Sequence, residues 1–251
     1  MKVLSIGNSF SEDAHRWLHL MSGFGKTKID TVNLFIGGCA LQTHYENILN
    51  KSEEYDFETN NIEKIKKMSI NAALSEDEYD AITIQQASGY SGMPQTYIPY
   101  LEEIVKFVRE KQPKAKLYFH KTWSYEIDST HGHFKFYNND QGEMTRRIND
   151  CAEMASKICD LEIIPVGDFI QYLRDNTEMF NYRNGGISLN RDGFHLSYLY
   201  GRFAASVVWY KVLTGEMVNP QEFATVHEKF ETDKLKVIVK AAENFFEEYC
   251  K

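Results

Sequence analysis

Five short apolar runs, at residues 3–6, 30–36, 81–84, 116–120 and 162–166, punctuate a chain whose intervening stretches are longer and amphipathic. The runs are nearly continuous rather than alternating, as strands covered on both faces are. Apolar residues at helical spacing mark 11–21, 61–74, 95–111, 141–159, 196–214 and 220–250. In 61–74 they are Ile62, Ile65, Met68 and Ala72, and Pro113 stops the stretch over 95–111. Asn60-Asn61 and residues 138–140 read as loops. Strand followed by helix, repeated, predicts right-handed crossovers between parallel strands. The expected fold is α/β, a three-layer α/β/α sandwich around a five-stranded parallel sheet. A chain of 251 residues suits one domain. We read 1–251 as that domain, with 220–251 a helical extension that either packs on it or forms a homodimer contact.

The formal net charge of −8 gives no general attraction for phosphate backbones or anionic membranes. No apolar run is long enough to span a bilayer. Nucleic-acid and membrane partners are therefore not expected. Cys39, Cys151, Cys159 and Cys250 match no zinc or redox spacing and read as free thiols. That usage, with a first strand starting almost at Met1, predicts a cytoplasmic protein as the sequence stands. An export signal removed upstream would make it secreted or periplasmic. His15 and His19 lie one helical turn apart but have no third ligand, and His131 and His133 fall in a loop. No metal and no cofactor is expected.

In parallel sheets, ligands sit beyond the carboxyl ends of the strands. After the first run comes Gly7-Asn8-Ser9-Phe10-Ser11, where a tight turn would lift Ser9 to a helix start. After the second comes Gly37-Gly38-Cys39, whose Gly38 N–H can approach a ligand closely. After the third comes Gln85-Gln86, two amides that need partners if buried. The fourth ends in His120-Lys121-Thr122-Trp123-Ser124-Tyr125-Glu126, with Trp123 a flat platform for a sugar-like ligand. Near the C-terminus stands Asn190-Arg191-Asp192-Gly193-Phe194-His195, where one carboxylate can orient one imidazole. Each has a plainer reading. Ser9 or Ser11 caps a helix, the glycines make a turn, and an amide holds a loop. Trp123 packs under a loop, and Asp192 caps a helix beside a surface histidine.

Taken together these blocks resemble the SGNH/GDSL-like hydrolases. Gly7-Asn8-Ser9-Phe10-Ser11 is similar to their opening Gly-Asp-Ser-Leu-Ser block, and Asp192-Gly193-Phe194-His195 to their late Asp-x-x-His block. Gly38 falls where they carry an oxyanion glycine, and the order of blocks agrees up to about Tyr210. The resemblance implies a flavodoxin-like fold and ester hydrolysis, including of acetyl groups on carbohydrates. It implies Ser9 as nucleophile, His195 as base and Asp192 as its orienter, with the Ser9 and Gly38 N–H groups in the oxyanion hole. Two departures stand out. Asn8 replaces the usual Asp, and Gln85-Gln86 replaces the usual Gly-x-Asn-Asp block. The segment from Tyr79 to Ser88 resembles an uncharacterised, carbohydrate-esterase-like branch. There Gln85 is the better match for the third oxyanion donor and Gln86 the second choice.

The expected activity is that of a serine esterase or deacetylase acting on small acyl esters, with a small-molecule or carbohydrate ester as substrate. Trp123, Tyr125, Glu126, Tyr90 and Arg191 are the candidate lining of its pocket. The rival is a non-catalytic carbohydrate-binding protein on the same scaffold. A nucleotide binder is disfavoured, since Gly-x-Gly-x-x-Gly and Walker loops are missing.

Overall fold

The computed structural model of the chain describes residues 1–60 and 63–249. Seven strands form one sheet: β1 (Lys2–Gly7), β2 (Asp30–Phe35), β3 (Tyr55–Thr59), β4 (Glu63–Met68), β5 (Ala81–Ile84), β6 (Lys116–His120) and β7 (Glu162–Ile164). Their order is β4-β3-β2-β1-β5-β6-β7. The five expected strands are all present, and β2, β1, β5, β6 and β7 are mutually parallel. The sheet is nevertheless mixed, not purely parallel, because β3 and β4 add an antiparallel hairpin at one edge.

That hairpin corrects the helix expected over 61–74. Residues 63–68 are strand, and only Ile70–Glu76 are helical (α4); residues 61 and 62 lie outside the described residues. Two physical causes hid the strands. Exposed Lys66 and Lys67 leave β4 without an apolar run, and a bulge between Phe57 and Glu58 breaks the two-residue alternation of β3. Asn60 enters the turn with φ 50°, a conformation asparagine tolerates.

The chain divides into two compact units, and neither is a continuous stretch. The first takes Met1–Glu12, Ile29–Thr122 and Arg146–Ile164; the second takes Asp13–Lys28, Trp123–Thr145 and the chain from Pro165 on. Helices α1 (Ser9–His15) and α6 (Gln141–Cys159) run from one into the other.

In the first unit, alternate strand residues Leu4, Ile6, Val32, Leu34, Ile82 and Ile84 build an apolar core with α3 (Leu41–Asn50), α4, α5 (Tyr100–Lys111) and the α6 segment. Between them on the same strands, Ser5, Thr31, Asn33, Ala81 and Thr83 are buried but small or polar. Ser5 and Thr83 share a hydrogen bond of 2.6 Å, and Asn33 donates to Glu58 at 3.0 Å. α3 escaped notice in the sequence because only Leu41, His44 and Ile48 of it are buried, a narrow stripe. α5 starts at Tyr100, after Pro99, rather than at 95.

The second unit is helical. It holds α2 (Leu18–Ser22), α7 (Val166–Asn176), α8 (Tyr200–Thr214), α9 (Pro220–Phe223) and α10 (Thr232–Tyr249). The helix expected at 11–21 is thus two pieces, α1 and α2. Pro165 ends β7 at Ile164 and opens α7, so the apolar run to 166 is part strand and part helix. α8 is buried almost all round and packs against α2, α7 and α10. The extension expected as one helix from 220 is broken between α9 and α10, and Cys250 lies outside the described residues. Its apolar face is covered within the chain: Phe245 meets Phe169 at 5.4 Å, and Phe230 meets Phe203 at 6.0 Å.

Candidate active site

In the first unit the ends of β1, β5 and β6 bring Asn8, Gln85 and His120 together, beside the turn that follows β2. Asn8 follows β1 and caps α1: its Oδ1 accepts from the Phe10 N–H at 3.0 Å, and its C=O accepts from the Glu12 N–H at 3.1 Å. Capping is thereby assigned to Asn8 and not to Ser9. Ser11 is buried, its hydroxyl 2.8 Å from both Asn8 O and Asn33 Oδ1, which share its one hydrogen; this removes it as a candidate nucleophile. Ser9 is half-buried at the first position of α1, where helix N–H groups have no acceptor inside the helix.

Gly38 is exposed, in the third position of a turn closed by the Cys39 N–H donating to Ile36 O at 3.2 Å. Its φ of 66° is the left-handed conformation such a turn requires there, and this explains glycine. Asn8 Nδ2 donates to Cys39 O at 3.0 Å and so ties this turn to the start of α1. The Cys39 thiol lies 3.5 Å from His44 Nδ1, and burial pushes it up to about 12. It is a thiol at neutral pH and no rival nucleophile.

Both glutamines are buried. Gln85 Nε2 donates to Asn8 Oδ1 at 2.7 Å, and Gln85 Oε1 lies 2.6 Å from His120 Nδ1. One hydrogen of its amide thus supports Asn8, a role the sequence did not suggest beside the oxyanion one. Gln86 is excluded as the second choice, because both its amide hydrogens are taken by Thr96, at 3.0 Å by the backbone oxygen and 3.1 Å by Oγ1. Its Oε1 accepts from the Leu41 and Ala87 N–H groups.

In the second unit, residues 190–196 form a closed loop. Asn190 and Leu196 bridge across it, and the Arg191 N–H donates to His195 O at 3.0 Å. Gly193 at the tip has φ 83°. Asp192 Oδ2 sits 2.8 Å from His195 Nδ1, while its Oδ1 accepts from the His195 N–H at 2.7 Å and the Phe194 N–H at 3.2 Å. Partial burial works to raise the Asp192 pKa, but the bonds from the His195 ring and these two backbone N–H groups outweigh it and hold the carboxyl below its usual range. Asp192 therefore stays charged and fixes the imidazole.

The loop is anchored from α1. Asp13 is wholly buried, and its carboxylate accepts from Arg191 Nη1 at 3.0 Å, Arg202 Nε at 2.7 Å and the Leu196 N–H at 2.8 Å. Arg191 also donates to Leu196 O. It braces the loop, and it also lines a cavity beside Asp192. Trp123 is 0% exposed and donates from its indole to Phe194 O at 2.8 Å. A wholly buried ring offers no sugar platform, so its part is also to hold the loop. Tyr125 is equally buried. Glu126 accepts from Ser188 Oγ at 2.8 Å and Gln141 Nε2 at 3.0 Å, with Arg174 at 3.8 Å. Its carboxylate is occupied, though it edges a cavity of about 250 Å³ that Asp192, Asp128, Ser129, Thr130 and Tyr182 also line. Tyr90 is half-buried in a short turn after β5. The sequence alone gives Asp13 and His120 no role. The signal for Asp13 was its place one helical turn after Ser9 on the same face.

Two further histidines set an acid limit. Burial drives His15 and His44 down to about 3 from the ordinary 6.5. Below pH 6.5 the unfolded chain takes up protons that the folded one refuses until about pH 3. Folding stability is then lost as pH falls, by up to roughly 1.4 kcal/mol per unit for each histidine. Urea midpoints measured from pH 6.5 to 5, above most carboxylate titration, should decline steadily. His15→Phe should roughly halve the slope, and a level profile in wild type would contradict this account.

The fold, a central sheet with helices around it, is similar to that of solved SGNH/GDSL-like hydrolases. A candidate SGNH hydrolase from Slackia heliotrinireducens is similar with TM-score 0.57 at 17% identity, over 85% of this chain and 98% of that one. A variant of Axe2, an acetyl xylan esterase from Geobacillus stearothermophilus, is similar with TM-score 0.53 at 11% identity, over 87% and 96%. Within that fold the chain belongs to the family described as a domain of unknown function, DUF4886, which residues 2–244 match. A crystal structure of a DUF4886 family protein from Bacteroides uniformis ATCC 8492 shares 34% identity with it, with TM-score 0.86 over 97% of this chain and 93% of that one. No curated protein matches the chain at a significant level.

Proposed function

We propose that this chain is a serine esterase or deacetylase that removes small acyl groups, acetyl foremost, through an acyl-Ser9 intermediate. The observation that carries the reading is the Asp13 anchor. Ser9 opens α1, and one turn later Asp13 grips Arg191 and Leu196, the residues that flank Asp192 and His195. Helix geometry puts about 6 Å between the Ser9 and Asp13 Cα atoms. In this reading the whole chain works as one hydrolase domain of the flavodoxin-like three-layer type.

Ser9 Oγ attacks the ester carbonyl as His195 Nε2 takes its proton. Asp192, bonded at Nδ1, keeps that nitrogen protonated and steadies the imidazolium. The Ser9 and Gly38 N–H groups receive the oxyanion. The alcohol leaves with the proton from His195, and water then releases the acid and restores Ser9. No metal or cofactor enters these steps. A carbohydrate ester is favoured by the polar lining of the cavity beside Asp192, where carboxylates and hydroxyls stand with Asn190 and Arg191, and by the likeness to an acetyl xylan esterase.

The test is labelling with a fluorophosphonate probe, followed by a panel of p-nitrophenyl esters from acetate to palmitate beside acetylated xylo-oligosaccharides. Ser9 should carry the label, and kcat/KM should fall as the acyl chain lengthens. Folded wild-type protein that leaves Ser9 unlabelled would end the hydrolase reading and leave carbohydrate binding. A preference for palmitate would end the deacetylase reading.

A further inference from the structure

The buried chain His120–Gln85–Asn8 has a polarity that can be read without seeing a single hydrogen, because its far end rests on backbone groups of known sense. The Phe10 N–H can only donate, so the Asn8 atom it meets is Oδ1. The Cys39 carbonyl can only accept, so the atom facing it is Asn8 Nδ2. Asn8 is thereby fixed. Gln85 must then present Nε2 to Asn8 Oδ1, at 2.7 Å, which turns its Oε1 toward His120, at 2.6 Å. An amide oxygen only accepts. His120 must therefore carry a hydrogen on Nδ1.

Every hydrogen in the chain points the same way, from the end of β6 across β5 and β1 to the turn after β2. Bonds aligned head to tail polarise and stiffen one another in a buried setting. We propose that His120 is a positioning residue: through Gln85 it orients Asn8, and Asn8 holds both the first turn of α1 at Ser9 and the Ile36–Cys39 turn that carries Gly38. The proposal deepens the serine-hydrolase reading and rests on it. It also accounts for asparagine where related enzymes carry aspartate. A carboxylate at position 8 would set an acceptor against the Cys39 carbonyl, and only an amide serves both neighbours.

The test uses the full chain with p-nitrophenyl acetate, and compares His120→Leu with His120→Asn, whose Nδ2 can stand where Nδ1 stands and donate to Gln85. His120→Leu should lower kcat about ten- to a hundred-fold with KM changed less than about threefold, as misplacement of reacting groups does. His120→Asn should bring kcat back to within about threefold of wild type. Imidazole 15N shifts of wild-type protein should give the Nδ1–H form for His120. Unchanged kcat in His120→Leu, an equal loss in both variants, or an Nε2–H neutral form would overturn the proposal. Should His120→Leu fail to fold, kcat of His120→Asn and the 15N shifts still decide it. A wild type that neither labels at Ser9 nor cleaves any ester refutes the parent reading instead.

Discussion

Ser9→Ala is expected to lower acetyl-ester turnover by roughly 10⁶-fold, the scale seen when the nucleophile of a serine triad is removed. Covalent labelling by a fluorophosphonate should vanish with it. The stability of the variant should barely change, by no more than about 0.5 kcal/mol, as for other substitutions outside the core. The reason lies in the start of α1. Asn8, not Ser9, caps the helix, and Ser11 makes the buried bonds to Asn8 and Asn33. The helix start is thus held by the two neighbours of Ser9 in this turn. Loss of activity with an intact fold is then a statement about chemistry. If purified Ser9→Ala cleaves the ester as fast as wild type, the assignment of the nucleophile is wrong.

Asp13→Ala should show the opposite balance, a large loss of stability followed by a loss of turnover. The carboxylate is wholly buried and shared between Arg191 and Arg202, while the Leu196 N–H completes it. Removing one partner of such an arrangement leaves charge without compensation and costs about 3–5 kcal/mol. The two guanidinium groups are partly hydrated, their side chains 19% and 11% exposed, so the lower end applies. In a chain of this length about 3 kcal/mol shifts Tm by roughly 10 °C. What remains folded should turn over about ten- to a hundred-fold more slowly, since the loop bearing Asp192 and His195 loses its tether to α1. Asp13→Asn should fall between, because Asn can still accept from the Leu196 N–H. Unchanged urea midpoints for Asp13→Ala would show that the anchor carries no weight.

Much of this was legible in the chain itself. Buried parallel strands write themselves as apolar runs, and β5 and β6 were bounded to the residue. The Asp192–His195 pair was legible because its spacing is local. What escaped was whatever depends on a partner distant in sequence. The β3–β4 hairpin draws its pairing from register, not from hydrophobicity, so lysines and a bulge concealed it. Trp123 read as a pocket wall because an aromatic residue after a strand looks alike whether it faces solvent or braces a loop. The bonds that Gln85 makes were equally hidden. Its true neighbours, Asn8 and His120, lie 77 and 35 positions away.

The interleaving of the two units governs how the protein can be handled. The boundaries at Glu12/Asp13 and Thr145/Arg146 fall inside α1 and α6. Limited proteolysis or a deletion series cannot liberate a lone unit, because any cut there severs a helix and every unit is assembled from separated stretches of polypeptide. During synthesis on the ribosome, the opening strand must wait for segments made more than a hundred residues later before its own unit is complete. Attempts to obtain a minimal fragment should therefore yield insoluble material, and circular permutation, which keeps every segment, is the rearrangement to try.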